Sequence, residues 1–236
     1  MNFLTHAIPY FDTPLVAVCT AIPDWLSAVD RKIRVREAAA RRVLDQTNDE
    51  VLRDVATGIL HHISDDHWFH QTRSFVELNL QLAVQLRDRL PGDDGFRPMF
   101  VGHIIIEMLL DSLWLRDNPS IGETYYRLIA KAPTIEIQEC VNRITGKPTT
   151  GLVPLIDRFT RAKFLYDYLD DSSLLFRLNQ VMRRVRLPDL PVQVLPWIHD
   201  ARDLVESCRA ALMTRPDGTS DFPSQVQSPQ PKESNQ

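Results

Sequence analysis

Apolar residues recur at three- and four-residue intervals along most of this chain, the spacing of helices that bury one face. The pattern predicts helices at about 31–46, 48–64, 71–90, 96–116, 120–132, 134–145, 150–170, 172–186 and 192–213. Breakers separate them at Pro91-Gly92, Asn118-Pro119, Ala132-Pro133, Gly146-Lys147-Pro148 and Leu187-Pro188 to Pro191. Thr47-Asn48-Asp49-Glu50 reads as an N-cap followed by acidic residues that suit the helix dipole. The opening residues read as non-helical, with a helix start at Pro23-Asp24. No run alternates apolar and polar residues long enough to predict a strand. The expected fold class is therefore all-α, with one helical domain over 1–213. Residues 214–236 carry mostly Pro, Ser, Gln and Asp and lack the apolar content of a core, so a disordered tail is expected there.

One helix breaks the usual division between a polar and an apolar face. Residues 99–115 are apolar enough to be buried, yet His103, Glu107 and Asp111 fall on a single stripe at i, i+4 and i+8. Burying an imidazole and two carboxyls among Ile104, Ile105, Ile106, Leu109 and Leu110 costs several kcal/mol unless something compensates. Two carboxyls one turn apart also raise each other's pKa in a low-dielectric interior. A second row, His62, Asp66 and His70, has helical spacing in the densest histidine segment, Gly58 to His70. His61 and Asp65 form a competing pair on the adjacent face, and His67 lies off the His62–Asp66 stripe. A divalent cation between the two helices would resolve the conflict. Imidazole mixed with hard oxygen ligands fits Mn²⁺, Mg²⁺, Fe²⁺ or Zn²⁺.

Composition narrows the functional classes. The 236 residues carry a formal charge of −4 and a pI near 6.0, which gives no footprint for nucleic acid. Cys19, Cys140 and Cys208 are isolated and read as reduced thiols, not as zinc ligands or disulfides. The apolar stretch Phe3 to Trp25 has no Lys or Arg and is interrupted by Pro9, Pro14 and Pro23, unlike a signal peptide. The 99–115 helix is shorter than a membrane span and charged within. The expectation is a cytoplasmic protein with neither nucleic acid nor membrane as partner. His199-Asp200 opens the last helix, where an Asp is favoured by the dipole in any protein, so a structural role is expected for it. The run Arg183-Arg184-Val185-Arg186, with Arg177 before it, reads as a solvated helix end.

The opening Met1-Asn2-Phe3-Leu4-Thr5-His6 resembles the Met-Asn-Phe-Leu-Ala-His start of the acyl carrier protein phosphodiesterase family. Asp24-Trp25 matches an Asp followed by an aromatic residue there, and Gly58-Ile59, His62 and Asp66 match a Gly-Ile, His, Asp series. His103 and Glu107 fall at two acidic family positions four residues apart. The chain departs from the family at Ile63, which is basic there, at Ala21-Ile22-Pro23, which is Gly-Asn there, and at His70 and His103, which are acidic there. The resemblance covers roughly the first half of the chain. It implies an all-helical bundle of the HD-type phosphohydrolases and a metal centre that releases 4′-phosphopantetheine from holo-acyl carrier protein. By position it implies His6, Asp24, His62, Asp66 and His103 as metal ligands. Asp66 or Glu107 would be the base that takes a proton from the attacking water. The expected partner is acyl carrier protein or a small phosphodiester. The rival expectation is a non-catalytic helical protein that keeps the fold and uses its polar interior for stability or metal binding.

Overall fold

In a computed structural model the chain is all helical, with no strand among the described residues, which are 1–90, 92 and 95–222. Pro91 and the segment 223–236 of the expected tail lie outside them. Twelve α-helices are found in that range: α1 (Phe3–Ala7), α2 (Pro14–Cys19), α3 (Ile22–Val29), α4 (Glu37–Gln46), α5 (Glu50–Gln71) and α6 (Arg73–Arg87), then α7 (Pro98–Asp117), α8 (Pro119–Lys131), α9 (Thr134–Thr145), α10 (Leu152–Ala162), α11 (Asp171–Arg184) and α12 (Leu195–Leu212).

The apolar character of α7 explains its place. Thirteen of its twenty residues are buried, because α1, α6, α8 and α12 surround it. It is long and apolar enough by length and composition to cross a membrane, but 72% of that window is buried inside the fold, as in the core helix of a soluble protein. Gly102 lets α6 approach, since a Cβ there would meet Asn79 Oδ1 at 2.5 Å. The second long helix, α5, starts at the Asp49 cap, whose side chain accepts from the Leu52 amide at 3.1 Å. It packs against α2, α4 and α9. A Cβ at Gly58 would stand 2.6 Å from the Val16 carbonyl oxygen, so only glycine lets α2 sit this close to α5.

The expected elements need four corrections. The opening is not irregular: α1 and α2 occupy it, because Pro9 and Pro14 stand at the first positions of helical turns, where a missing N–H costs nothing. The helix expected from residue 31 begins at Glu37. Asp30 Oδ1 captures the Lys32 amide at 2.8 Å, an Asx turn that competes with helix. The helix expected to stop at residue 64 runs on to Gln71, where Thr72 caps α6 by accepting from the Phe75 amide. The span 150–170 breaks at Lys163, in the left-handed region at φ 46°, and resumes as a 3₁₀ turn over Phe164–Leu169.

Part of the expected tail, residues 214–222, lies among the described residues. Residues beyond 213 return to the core: Arg215 lies over the Trp68 ring at 5.0 Å and donates to Asp65 Oδ1 at 3.2 Å. Phe222 stacks on Trp114 at 5.9 Å between centroids. The composition signal missed this because a few anchoring side chains suffice to dock an otherwise polar segment. The three cysteines are free, Cys19 and Cys140 buried and Cys208 half-buried.

Candidate metal centre

Two short helices, α1 and α3, pack against α5, and α1 also against α7. The first is α1, which a buried carboxylate from α7 holds in place. Asp111 accepts from the Leu4 amide (3.1 Å), the Thr5 amide (2.8 Å) and the Thr5 hydroxyl (2.7 Å). These amides are among the first-turn donors that a helix leaves unpaired. Asp111 therefore caps α1 from a neighbouring helix and is turned away from Glu107's partners, although both share a stripe. Burial pushes its carboxyl up to about 6 against those hydrogen bonds.

Capped in this way, α1 delivers His6 to α5. His6 is fully buried and stacks on His62 with ring centroids 4.2 Å apart. His6 Nε2 stands 3.2 Å from Asp66 Oδ1, and His62 Nε2 stands 3.4 Å from Asp66 Oδ2. One ligand atom from each of His6, His62 and Asp66 falls within 4.8 Å of the others, so the three could hold a metal ion. Both His6 nitrogens and His62 Nδ1 are buried with no hydrogen-bond partner. The 3.2 Å and 3.6 Å approaches of His6 to Asp66 and Asp65 bring charge close without hydrogen-bond geometry. Burial and the Met1 ammonium oppose protonation of His6, but the adjacent Asp65 and Asp66 outweigh them and raise it to about 9.

A second group forms one turn further along α5. His70 Nε2 bonds Glu107 Oε1 at 2.8 Å, His103 Nε2 approaches the same oxygen at 3.2 Å, and the two rings lie 4.4 Å apart. His70, His103 and Glu107 likewise offer ligand atoms within 4.8 Å of one another. The Met1 ammonium joins the two groups, donating to Asp66 Oδ1 at 2.7 Å and to Glu107 Oε1 at 3.0 Å. Burial alone would raise both carboxyls. The ammonium and the imidazoles reverse this and hold both well below the carboxylate range. The ammonium itself, against its burial, is raised to about 10 by the two carboxylates.

Asp24, in the first turn of α3, faces the groups from the other side. Burial pushes its carboxyl up, offset in part by the nearby His62 and His6. It is no member of either close triad, and among the described residues its carboxylate has no hydrogen-bond or ion-pair partner. Asp24 and Glu107 both reach a cleft of about 490 Å³ whose apolar wall includes Trp25, Phe100, Ile104, Phe159 and Phe164.

The expected ligand set thus divides. His6, His62 and Asp66 come together; His103 joins Glu107 in the other group; Asp24 faces both at longer range. His70 belongs with His103 and Glu107, a place that its spacing from Asp66 hinted at and the resemblance did not assign. Asp65 is half of the face set aside: it lies beside His6 while accepting from Trp68 Nε1 at 3.2 Å and from Arg215. His61 turns instead to Tyr10, with Nδ1 2.9 Å from the hydroxyl. His67 is exposed, as its position off the stripe implied, and His199 lies on the surface, 3.8 Å from Asp171. No protein-family model, curated protein or solved structure matches this chain.

Proposed function

We propose that this is a metal-dependent hydrolase of phosphoric esters, acting in the cytoplasm. One observation carries the reading: two imidazoles, stacked and buried beside a carboxylate, leave three ring nitrogens without a hydrogen-bond partner. Each such buried group costs about 1–3 kcal/mol if nothing satisfies it. A cation at His6, His62 and Asp66 would satisfy one nitrogen on each ring and so remove part of that cost, and His70, His103 and Glu107 offer a second position beside it. The Met1 ammonium contacts a carboxylate of each group, so the two positions are adjacent.

When bound, the metal supplies a polarised phosphoryl oxygen and a water of lowered pKa. The chain's own residues do the rest. His6 and His62 would hold the ion through ring nitrogens, as a pair kept rigid by stacking and burial. Asp24, unpartnered and at the cleft, is placed to take the proton from an attacking water. Glu107 can share that role only where His70 and His103 release its oxygen. The sequence resemblance supplies the named substrate, the 4′-phosphopantetheine phosphodiester of holo-acyl carrier protein.

Elemental analysis of the purified protein, followed by hydrolysis of bis(p-nitrophenyl) phosphate and of holo-acyl carrier protein with added Mn²⁺, tests the proposal. Bound Mn, Fe or Zn near one or two equivalents with metal-dependent turnover is expected. No metal uptake and no turnover overturns it. A second reading, a non-catalytic helical protein with a polar interior, draws on a single observation: the Met1 ammonium already supplies a cation to Asp66 and Glu107. On that reading added metal does not displace the ammonium and raises neither occupancy nor thermal stability.

A further inference from the structure

The cleft that reaches Asp24 and Glu107 has a charge pattern that the metal groups do not account for. Its floor is acidic and its walls are apolar, but its mouth is basic, with Arg31, Arg34 and Arg184 all lining it. Two neighbouring arginines are neutralised. Arg177, also in the cleft, pairs with Asp167 at 2.6 Å, and Arg183, next to Arg184 in sequence, pairs with Asp189. Among the described residues no carboxylate stands within ion-pair distance of Arg31, Arg34 or Arg184. Arg31 instead donates to the Arg184 main-chain carbonyl, which ties the end of α3 to the end of α11 across the mouth. Arg31 and Arg34 from one segment and Arg184 from another place three like charges at the mouth, with no internal counter-ion among the described residues.

We propose that the cleft selects small organic phosphoesters with a second anionic group, bound by Arg31, Arg34 and Arg184, while the ester to be cleaved lies at the Asp24–Glu107 floor. This rests on the hydrolase reading of the floor and sets a free small molecule in place of the carrier-protein substrate that the resemblance names. The apolar wall between floor and mouth, including Phe100 and Ile104, fits a hydrocarbon spacer. The cleft volume of about 490 Å³ falls in the range of small-molecule pockets. This favours a free small molecule over an acidic protein surface, which would meet the arginines without filling the apolar space. Guanidinium groups are suited to the far end because they bind carboxylate and phosphate in a bidentate, charge-assisted way.

Calorimetric titration of the full chain with Mn²⁺ added, using hexane-1,6-diyl bisphosphate and hexyl phosphate, tests the selection without requiring turnover. The bisphosphate should bind at least about 10-fold more tightly, the scale of one good charge-assisted contact. The Arg31→Gln/Arg34→Gln/Arg184→Gln variant should reduce that ratio to near one, and circular dichroism should confirm its fold, since all three side chains are exposed. Equal affinity of the two probes for the unaltered chain overturns the proposal, as does a ratio that survives in the triple variant. Binding of an acidic carrier protein, lost in the triple variant and with no discrimination between the small probes, overturns it in favour of a protein partner. Discrimination between the probes with no hydrolysis of any phosphodiester leaves the selection standing and overturns the hydrolase reading alone.

Discussion

Asp111 touches none of the candidate ligands, yet its replacement should empty the metal centre. Its two oxygens satisfy the Leu4 amide, the Thr5 amide and the Thr5 hydroxyl, all buried, and those bonds fix the helix that carries His6. In Asp111→Ala three buried donors lose their acceptor at once. Each unpaired buried donor costs about 1–3 kcal/mol. Partial fraying of the five-residue α1 recovers some of this, so the net loss should be about 3–5 kcal/mol, the range for breaking a buried charged partnership. Asp111→Asn keeps the oxygen that faces Thr5 and turns an amide NH₂ toward the Leu4 N–H, a donor against a donor, for about 1–3 kcal/mol. In a chain of this size each kcal/mol lowers Tm by about 2–4 °C. The Asn variant, still folded, isolates the second effect: with His6 no longer fixed, Mn²⁺ affinity should fall about 10–100-fold, the usual consequence of losing a group that orients a ligand. Thermal denaturation with and without Mn²⁺, together with a competitive metal titration, reads both quantities. If Asp111→Asn keeps the affinity and Tm of the unaltered protein, α1 is held by packing alone and the capping argument fails.

Four shorter expectations follow from the same contacts. His62→Ala should lose bound metal by mass spectrometry and His67→Ala should retain it, since His62 stacks on His6 while His67 is exposed. Glu107→Gln should lower hydrolysis by roughly 10²-fold or more with the fold intact, because a neutral amide then meets the donors now converging on Oε1. Truncation after Met213 should lower stability by about 2 kcal/mol in chemical denaturation, since Arg215 and Phe222 no longer cover Trp68 and Trp114; an unchanged midpoint would mean that the return is not energetically coupled to the core. With metal chelated, the Asp111 carboxyl, raised from 3.8 to about 6, favours the folded state while protonated, so its contribution is full below pH 4 and is lost as pH rises to 6. That loss is on the order of 3 kcal/mol, and Asp111→Asn should remove this component from the stability profile between those values.

Much of this arrangement was legible in local spacing. The stripe on α7 and the row on α5 announced ionisable groups in an apolar setting, and both supply members of the two clusters that could hold a metal ion, because a helix face follows from 3.6-residue periodicity. What spacing could not reveal was the division of labour along a stripe. Asp111 and Glu107 are one turn apart and share a face, but α1 packs across Asp111 and the Met1 ammonium across Glu107. These are contacts over more than one hundred residues of sequence, and no periodic signal carries them. The prolines of the opening pointed the wrong way for a related reason: Pro9 and Pro14 stand at helix starts, where proline is tolerated, and that is set by what caps and covers the turns.

The charge inside the centre makes the case for a cation independently of any single ligand. Asp65 is matched by Arg215, and Asp111 is spent on the amides of α1. Asp24, Asp66 and Glu107 remain, facing one ammonium and a His6 whose pKa, about 9, leaves it protonated at neutral pH. With Asp24 ionised, three anions face two cations, a surplus of negative charge that burial penalises and that helps push the Asp24 carboxyl up. The Asp65 and Asp66 carboxylates that raise His6 lie 3.6 Å and 3.2 Å from its two ring nitrogens, outside good hydrogen-bond geometry. A divalent ion that takes the place of that proton both supplies the missing charge and gives the buried nitrogen something to bind. The same exchange predicts that metal uptake releases close to one proton near neutral pH, readable as a buffer-dependent heat in calorimetry. Uptake with no proton release would show that His6 is already neutral, and the charge argument for the site would lose its footing.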